Sequence, residues 1–326
     1  MILAGDIGGT NTRLAFFDGT IDNLKPHDIE VFPSPRFKGL GEIIQKYLSK
    51  HKEQVDAACF GLPGAVVDGK VMTPNLPWVV DAGQLALELH LGRVELINDL
   101  FANAHGIAML HDSDFVTLNE GIPSPTGNRA LISAGTGLGE AGLLAEVGSY
   151  RPFPSEGGHV DFAPRNELEI ELLRHLMGRF GRVSYERVLS GPGLFNIYQF
   201  LRDTGRAEEP AWLAEEIKQG DPAAAVAKAG LAGKAEISVQ TLDIFVSIYG
   251  AEAGNLALKV VATGGVFIGG GIAPKIIKKL SGPAFMKSFS EKGRVSPMMR
   301  NIPVRVITND KTALLGAGRF AALQLI

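Results

Sequence analysis

Gly5-Asp-Ile-Gly-Gly-Thr-Asn-Thr-Arg-Leu14 places a glycine-rich turn close to the start of the chain. Ile2, Leu3 and Ala4 precede a turn of small residues, Gly8-Gly9-Thr10-Asn11, and Arg13-Leu-Ala-Phe-Phe17 resumes an apolar run at once. Two short apolar runs around a glycine turn read as a hairpin, not as a strand feeding a helix. Residues 130–147 repeat the pattern: Ala130-Leu-Ile-Ser133, then Ala134-Gly-Thr-Gly-Leu-Gly139, then a second apolar run. Two like hairpins in one chain predict an internally duplicated fold.

Working outward, helical spacing is predicted at 39–50 and 84–91, and buried-strand runs at 56–60 and 94–97, which makes an α/β lobe. A larger portion follows, with helical patterns at 166–180, 186–203, 210–219, 221–232 and 238–258, and a strand at 304–307. A last helical pattern, 311–325, is long enough to turn back onto the first lobe. The expected division is a small α/β domain over 1–110, joined by the C-terminal helix 311–326, and a large α/β domain over 111–310. The length of 326 residues suits two cores, because domains cluster near ~100–150 residues.

Composition narrows the classes. Apolar residues are 45% of the chain and charged residues 21%, the balance of a globular protein. The 32 basic and 35 acidic residues, net charge −3, are scattered, with no basic block to track a phosphate backbone, so nucleic acid is not an expected partner. Cys59 is the only cysteine, which excludes an intrachain disulfide and, with seven scattered His, a Cys/His set for structural zinc. Cys59 itself, in Ala57-Ala-Cys-Phe60, reads as buried core. The start, Met1-Ile-Leu-Ala-Gly-Asp6, lacks the basic region of a signal peptide, and the longest charge-free late segment, 260–274, is short and glycine-filled. A cytoplasmic protein with no membrane partner is expected.

Small residues in both hairpin turns let backbone N–H groups approach phosphate oxygens, and Asp6 could orient a hydrated magnesium ion. Gly137-Leu-Gly-Glu-Ala-Gly142 has the letters of a dinucleotide fingerprint, but an apolar strand pattern follows where a helix should open. There is no Walker A string and no Gly-x-Ser-x-Gly nucleophile elbow. A third glycine cluster, 264–274, precedes a helical pattern at 275–280; it reads as a tight strand-to-helix turn and equally as a place for adenine or ribose against the backbone.

Asp99 follows a strand run and precedes helical spacing at 100–110. It reads either as a helix N-cap or as a carboxylate at a strand end that accepts a hydroxyl proton during phosphoryl transfer. Glu156 and His159, in Ser155-Glu-Gly-Gly-His159, with Asp161 beyond, and Glu186, in Glu186-Arg-Val-Leu-Ser-Gly-Pro-Gly193, are either solvated surface groups or the convergent donors and acceptors that a polyhydroxylated sugar needs.

Taken in order, Gly5–Leu14, Ile97-Asn-Asp-Leu100, Ser133-Ala-Gly-Thr-Gly-Leu-Gly139, Ser155–His159 and Glu186–Gly193 resemble the bacterial glucokinase family over nearly the whole chain. The resemblance implies a two-lobed, duplicated actin-like (ribonuclease H-like) hexokinase-type fold with an active-site cleft between lobes, and ATP-dependent phosphorylation of glucose at its 6-hydroxyl. It implies Asp99 as catalytic base, and Asn98, Glu156, His159 and Glu186, with Asn75, as sugar ligands beside it. For ATP it implies Asp6, Gly8, Gly9, Thr10 and Asn11, then Gly135, Thr136, Gly137 and Gly139, then Gly269, Gly270, Gly271 and Ile272, with Asp6 acting on Mg2+ through water. A homodimer is implied as well. Related sugar kinases and sugar-responsive repressors carry a Cys-rich zinc motif after the sugar-binding His, which a single cysteine cannot supply, and no DNA-binding extension is expected ahead of the first hairpin. Alternatives at this stage are a kinase for mannose, fructose or N-acetylmannosamine, and a non-catalytic sugar sensor on the same fold.

Overall fold

In the computed structural model, which describes residues 1–326 apart from Lys52, Asn75 and Ile326, the quoted hairpin is β1 (Ile2–Ile7) and β2 (Asn11–Asp18), paired antiparallel with Asp6 opposite Arg13. The chain divides into two compact units, residues 1–112 with 309–326, and residues 113–308.

In the first unit β3 (Lys25–Pro33) extends the hairpin, and β4 (Ala57–Leu62) and β7 (Val94–Asn98) add in parallel to give the order β3-β2-β1-β4-β7. Between these two strands a small ribbon, β5 (Lys70–Met72) with β6 (Val79–Asp81), leads into α2 (Ala82–Glu88). Side chains alternate across a strand, so β1 and β2 feed two cores. Leu3, Ile7, Leu14 and Phe16 pack with α1 (Leu40–Leu48) and α2 on one face. Ile2, Ala4, Ala15 and Phe17 pack on the other with α3 (Asp99–Gly106) and α12 (Thr312–Leu323). The last helix thus docks on the first unit, along α3 and against β1 and β4. Cys59 is buried in this second core.

The second unit repeats the plan. β9 (Arg129–Ala134), β10 (Leu138–Glu146) and β11 (Ser149–Ser155) form an antiparallel meander, and β12 (Gly265–Gly269) and β13 (Val304–Ile307) continue in parallel. The order is β11-β10-β9-β12-β13, closed by the antiparallel edge strand β8 (Phe115–Asn119). Ala130, Ile132, Val266, Ile268, Val304 and Val306 share one core with helices of this unit. These are α4 (Glu167–Phe180), α5 (Gly191–Asp203), α6 (Ala211–Gln219), α7 (Pro222–Leu231), the long α8 (Glu236–Val260), and the short α9 (Ile277–Leu280), α10 (Pro283–Ser290) and α11 (Ser296–Arg300). Asn166, Ser190 and Asp221 cap α4, α5 and α7 by accepting orphan backbone N–H groups. Among the described residues no helix is long and apolar enough to cross a membrane.

Three boundaries differ from the sequence expectation. The helix expected over 186–203 begins at Gly191, because Ser190 caps there and Pro192 suits the first turn, while Glu186 lies in a separate 3-10 turn, Tyr185–Arg187. The helix expected over 100–110 ends at Gly106 and tightens into a 3-10 turn. The first part of the third glycine cluster is itself strand β12, and the helix expected at 275–280 is split into a 3-10 turn and one helical turn.

Candidate active site

In the first unit the C-terminal ends of three parallel strands lie side by side, with Asp6 of β1 in register with Gly61 of β4, and Gly61 with Ile97 of β7. Loops beyond such strand ends are where open α/β sheets bind ligands. Asn98 and Asp99 follow β7 directly. Asn98, not Asp99, is the N-cap of α3, which corrects one of the two sequence readings: its Oδ1 accepts the Leu100 and Phe101 N–H groups at 2.9 and 3.3 Å, and its Nδ2 donates to the Gly64 carbonyl at 3.1 Å. Asp99 opens the helix, and its Oδ1 accepts the Leu100 N–H at 2.8 Å. Burial raises the Asp99 carboxyl above its ordinary range, against the pull of the Leu100 N–H, its own N–H and the Asn98 side chain.

Asp6 lies near Asp99, and its carboxyl is pushed up to about 6 by burial, with Arg13 opposing and Asp99 and Asp310 adding to the rise. The Arg13 guanidinium is 3.7 Å from Asp6 and 2.6 Å from the Asp310 carboxylate, and it also donates to the Asp310 carbonyl at 2.6 Å. Arg13 and Asp310 were not singled out from the sequence; the cross-strand position of Arg13 opposite Asp6 is the signal that could have found it. The turn after β1 is pinned from its carbonyl side: Ser34 donates from Oγ to the Gly8 carbonyl at 2.7 Å and from its N–H to the Thr10 carbonyl at 3.0 Å. Gly9, Thr10 and Asn11 complete this turn, with Thr10 and Asn11 exposed.

In the second unit the loop joining β9 to β10 is held from several sides. The Gly135 N–H donates to the Gly137 carbonyl at 2.8 Å, across Thr136, and the Gly135 carbonyl accepts the Gly191 N–H at 2.8 Å. The Ala134 carbonyl accepts the Ile272 N–H at 3.2 Å. Gly270 adopts φ +83°, and a Cβ there would stand 2.3 Å from that same carbonyl, so only glycine brings the 269–272 segment, Gly271 included, this close. Tyr249 of α8 ties both strand ends: its hydroxyl accepts the Ala134 N–H at 3.2 Å and donates toward the Gly269 carbonyl at 3.4 Å. Gly135–Gly139 and Gly269–Ile272 are therefore one small-residue surface at the ends of parallel β9 and β12.

Glu186 joins this surface, since its Oε2 accepts the Leu138 N–H at 3.0 Å. The Glu156–His159 segment is a 3-10 turn seated on the start of β10, where a Cβ on Gly158 would meet the Leu138 carbonyl at 2.0 Å. The Glu156 carboxylate and His159 Nε2 are 4.0 Å apart and 81% and 59% exposed, while Arg182 donates to the His159 carbonyl at 2.7 Å. The second unit thus brings together Glu156, His159, Glu186 and both of its glycine segments, and the first unit brings together Asp6, Asn98 and Asp99. Asp161 stays outside this set, in an ion pair with Arg182. Asn75 lies outside the described residues.

Comparison with known proteins places the whole chain and its fold. The sequence model of the glucokinase family matches residues 3–324. A glucokinase of a Nostoc species is 42% identical over 339 residues, covering 99% of each chain. The crystal structure of a glucokinase from an Antarctic psychrotroph superposes with a TM-score of 0.85 at 31% identity, covering 98% of each chain. A glucokinase of Balamuthia mandrillaris in complex with glucose shares the fold, with a TM-score of 0.80 at 20% identity over 98% of this chain and 93% of its own. The fold is the actin-like one of these sugar kinases, and the chain belongs to the glucokinase family.

Proposed function

We propose that this chain transfers the γ-phosphoryl group of ATP to the 6-hydroxyl of D-glucose, giving glucose 6-phosphate and ADP, the first step of glycolysis. The observation that carries the reading is Asp99. It is a carboxylate at the C-terminal edge of parallel strands, with one oxygen fixed by the Leu100 N–H at 2.8 Å and its proton affinity raised by burial. A base with raised affinity takes a hydroxyl proton more readily than a fully solvated aspartate.

In this mechanism Asp99 accepts the 6-hydroxyl proton as that oxygen attacks the γ-phosphorus and the bond to ADP breaks. Asn98, Glu156, His159 and Glu186 hold the remaining hydroxyls, Glu186 with one oxygen already committed to Leu138. Backbone N–H groups of the Asp6–Asn11 turn and of Gly135–Gly139 receive the phosphates, and Gly269–Ile272 receives the adenosine. Phosphoryl transfer asks mainly for positioning and electrostatic stabilisation, so a short list of side chains suffices. The Asp6 carboxylate, desolvated and 3.7 Å from its nearest cation, fits a hard divalent ion held through water. Mg2+ there would neutralise charge on the transferring phosphates. A cytoplasmic homodimer belongs to the same proposal and rests on the family resemblance.

Initial rates with Mg-ATP across a panel of free hexoses, following ADP release, test the reading. Turnover greatest on glucose is the expected result. Turnover confined to mannose, fructose or N-acetylmannosamine would replace the substrate, and tight glucose binding without turnover on any sugar would make the chain a sensor.

A further inference from the structure

Glu140 immediately follows the glycine loop of the second hairpin, yet its side chain is buried, 1% exposed, beside α8. Among the described residues neither carboxyl oxygen meets a hydrogen-bond donor. A buried carboxyl without donors is costly and calls for a physical cause. The neighbouring group is another carboxyl, Glu252 of α8, which is 0% exposed and already served by Lys259 at 3.1 Å and Asn255 at 2.8 Å. Two facing acceptors become a hydrogen bond only when one of them carries a proton. Glu140, with no cation of its own, is the member that holds it.

Polar and titratable groups face the pair from several elements. Tyr249, Glu252, Asn255 and Lys259 face the pair from α8, and Tyr185 from the turn before α5, where its hydroxyl accepts from Asn255 at 3.1 Å. Lys292, beyond α10, reaches the same network through Asn255 at 2.6 Å, with Arg165 as a further charge. The last element is the sugar turn. A Cβ on Gly157 would stand 1.9 Å from Glu140 Oε2, so the carboxyl is the floor on which the Glu156–His159 turn rests. Ser155, opposite Glu140 in the β10–β11 register, accepts the Gly157 N–H at 3.0 Å and fixes the same turn from its other end.

We propose that Glu140 is a positioning residue for the sugar: sharing one proton with Glu252, it holds the Gly157–Gly158 turn so that Glu156 and His159 present their side chains in the binding geometry. This rests on the assignment of Glu156 and His159 as sugar ligands. Loss of the shared proton places a second negative charge in the buried site, and the turn above it must yield. Burial and Glu252 push the Glu140 carboxyl up to about 8, with Lys259 opposing, so the change falls in the alkaline range.

The test is the pH dependence, from 6.5 to 9.5, of kcat and of the glucose KM in wild type, Glu140→Gln and Glu140→Ala, with Glu156→Gln run in parallel. Glutamine cannot titrate and keeps an N–H to give to Glu252. The expected result is a wild-type KM that rises above pH ~8, by up to about tenfold per unit as one proton is linked to binding, while the KM of Glu140→Gln stays flat and the kcat profiles coincide. Glu140→Ala should raise KM at every pH. If Glu156→Gln raises KM but Glu140→Gln keeps the wild-type alkaline rise, or wild type shows none, the role of Glu140 is wrong and the sugar assignment stands. If Glu156→Gln leaves KM unchanged, the sugar assignment itself fails. Should Glu140→Ala not fold, the wild-type and Glu140→Gln profiles still decide.

Discussion

The two hairpins are copies in plan and opposites in chemistry. Both open a meander that continues into parallel strands, β3-β2-β1-β4-β7 and β11-β10-β9-β12-β13. The first ends in charged groups: Asp6 opposite Arg13, Asp310 on the same guanidinium, and Asp99 close by. The second presents glycines and backbone N–H groups and tucks the Glu140 carboxyl into the interior beside Glu252. The same strand ends thus occur twice, with carboxylates and a guanidinium at the first and glycine backbone beside the single Glu186 carboxylate at the second. A phosphoryl transfer can use both, because acid-base work requires an ionisable group while backbone N–H dipoles receive phosphate oxygens.

Substitutions can break this contrast, and the largest effect belongs to the charged side. Asp99→Asn keeps the shape but removes the proposed base, and kcat should fall by about 10²–10⁴-fold, measured by coupled ADP release. On the glycine side, Glu186→Gln keeps an acceptor for the Leu138 N–H and removes a charge; the glucose KM should rise roughly 10- to 100-fold, the scale of one charged hydrogen bond, with kcat changed less. Gly270→Ala forces a side chain into φ +83° and onto the Ala134 carbonyl, so the ATP KM should rise and stability fall by about 1–3 kcal/mol, read by denaturant titration.

A last prediction leaves turnover aside and reads stability alone. Glu140 holds its proton in the folded protein up to about 8 and loses it in the unfolded chain near the ordinary 4.5, so its contribution to stability is present at low pH and is lost as pH rises across that window. Glu140→Gln escapes this loss. Its thermal midpoint relative to wild type should therefore climb between pH 5 and pH 8.5, by differential scanning calorimetry.

Much of the scaffold was legible because glycine turns between apolar runs admit few structures: both hairpins, the parallel strands at 57–62 and 94–98, and the last helix follow from patterning. Strands β3 and β11 were not legible. Each carries two prolines and few buried side chains, as edge strands can, and so reads as loop. The capping role fell to Asn98 rather than Asp99 because two adjacent polar residues compete for the same orphan N–H groups, and only backbone geometry decides between them. Glu140 was invisible for a different reason. In sequence it is one polar letter inside an apolar strand run, and its unpartnered oxygens exist only once α8 brings Glu252 against it.

Proton transfer and sugar binding belong to different residues in the proposed mechanism. Calorimetric titration of glucose into Asp99→Asn and Glu186→Gln, beside their turnover numbers, measures that separation. Asp99→Asn should bind glucose within a few-fold of wild type while turnover collapses, and Glu186→Gln should lose affinity first. Near-wild-type turnover in Asp99→Asn would contradict that mechanism.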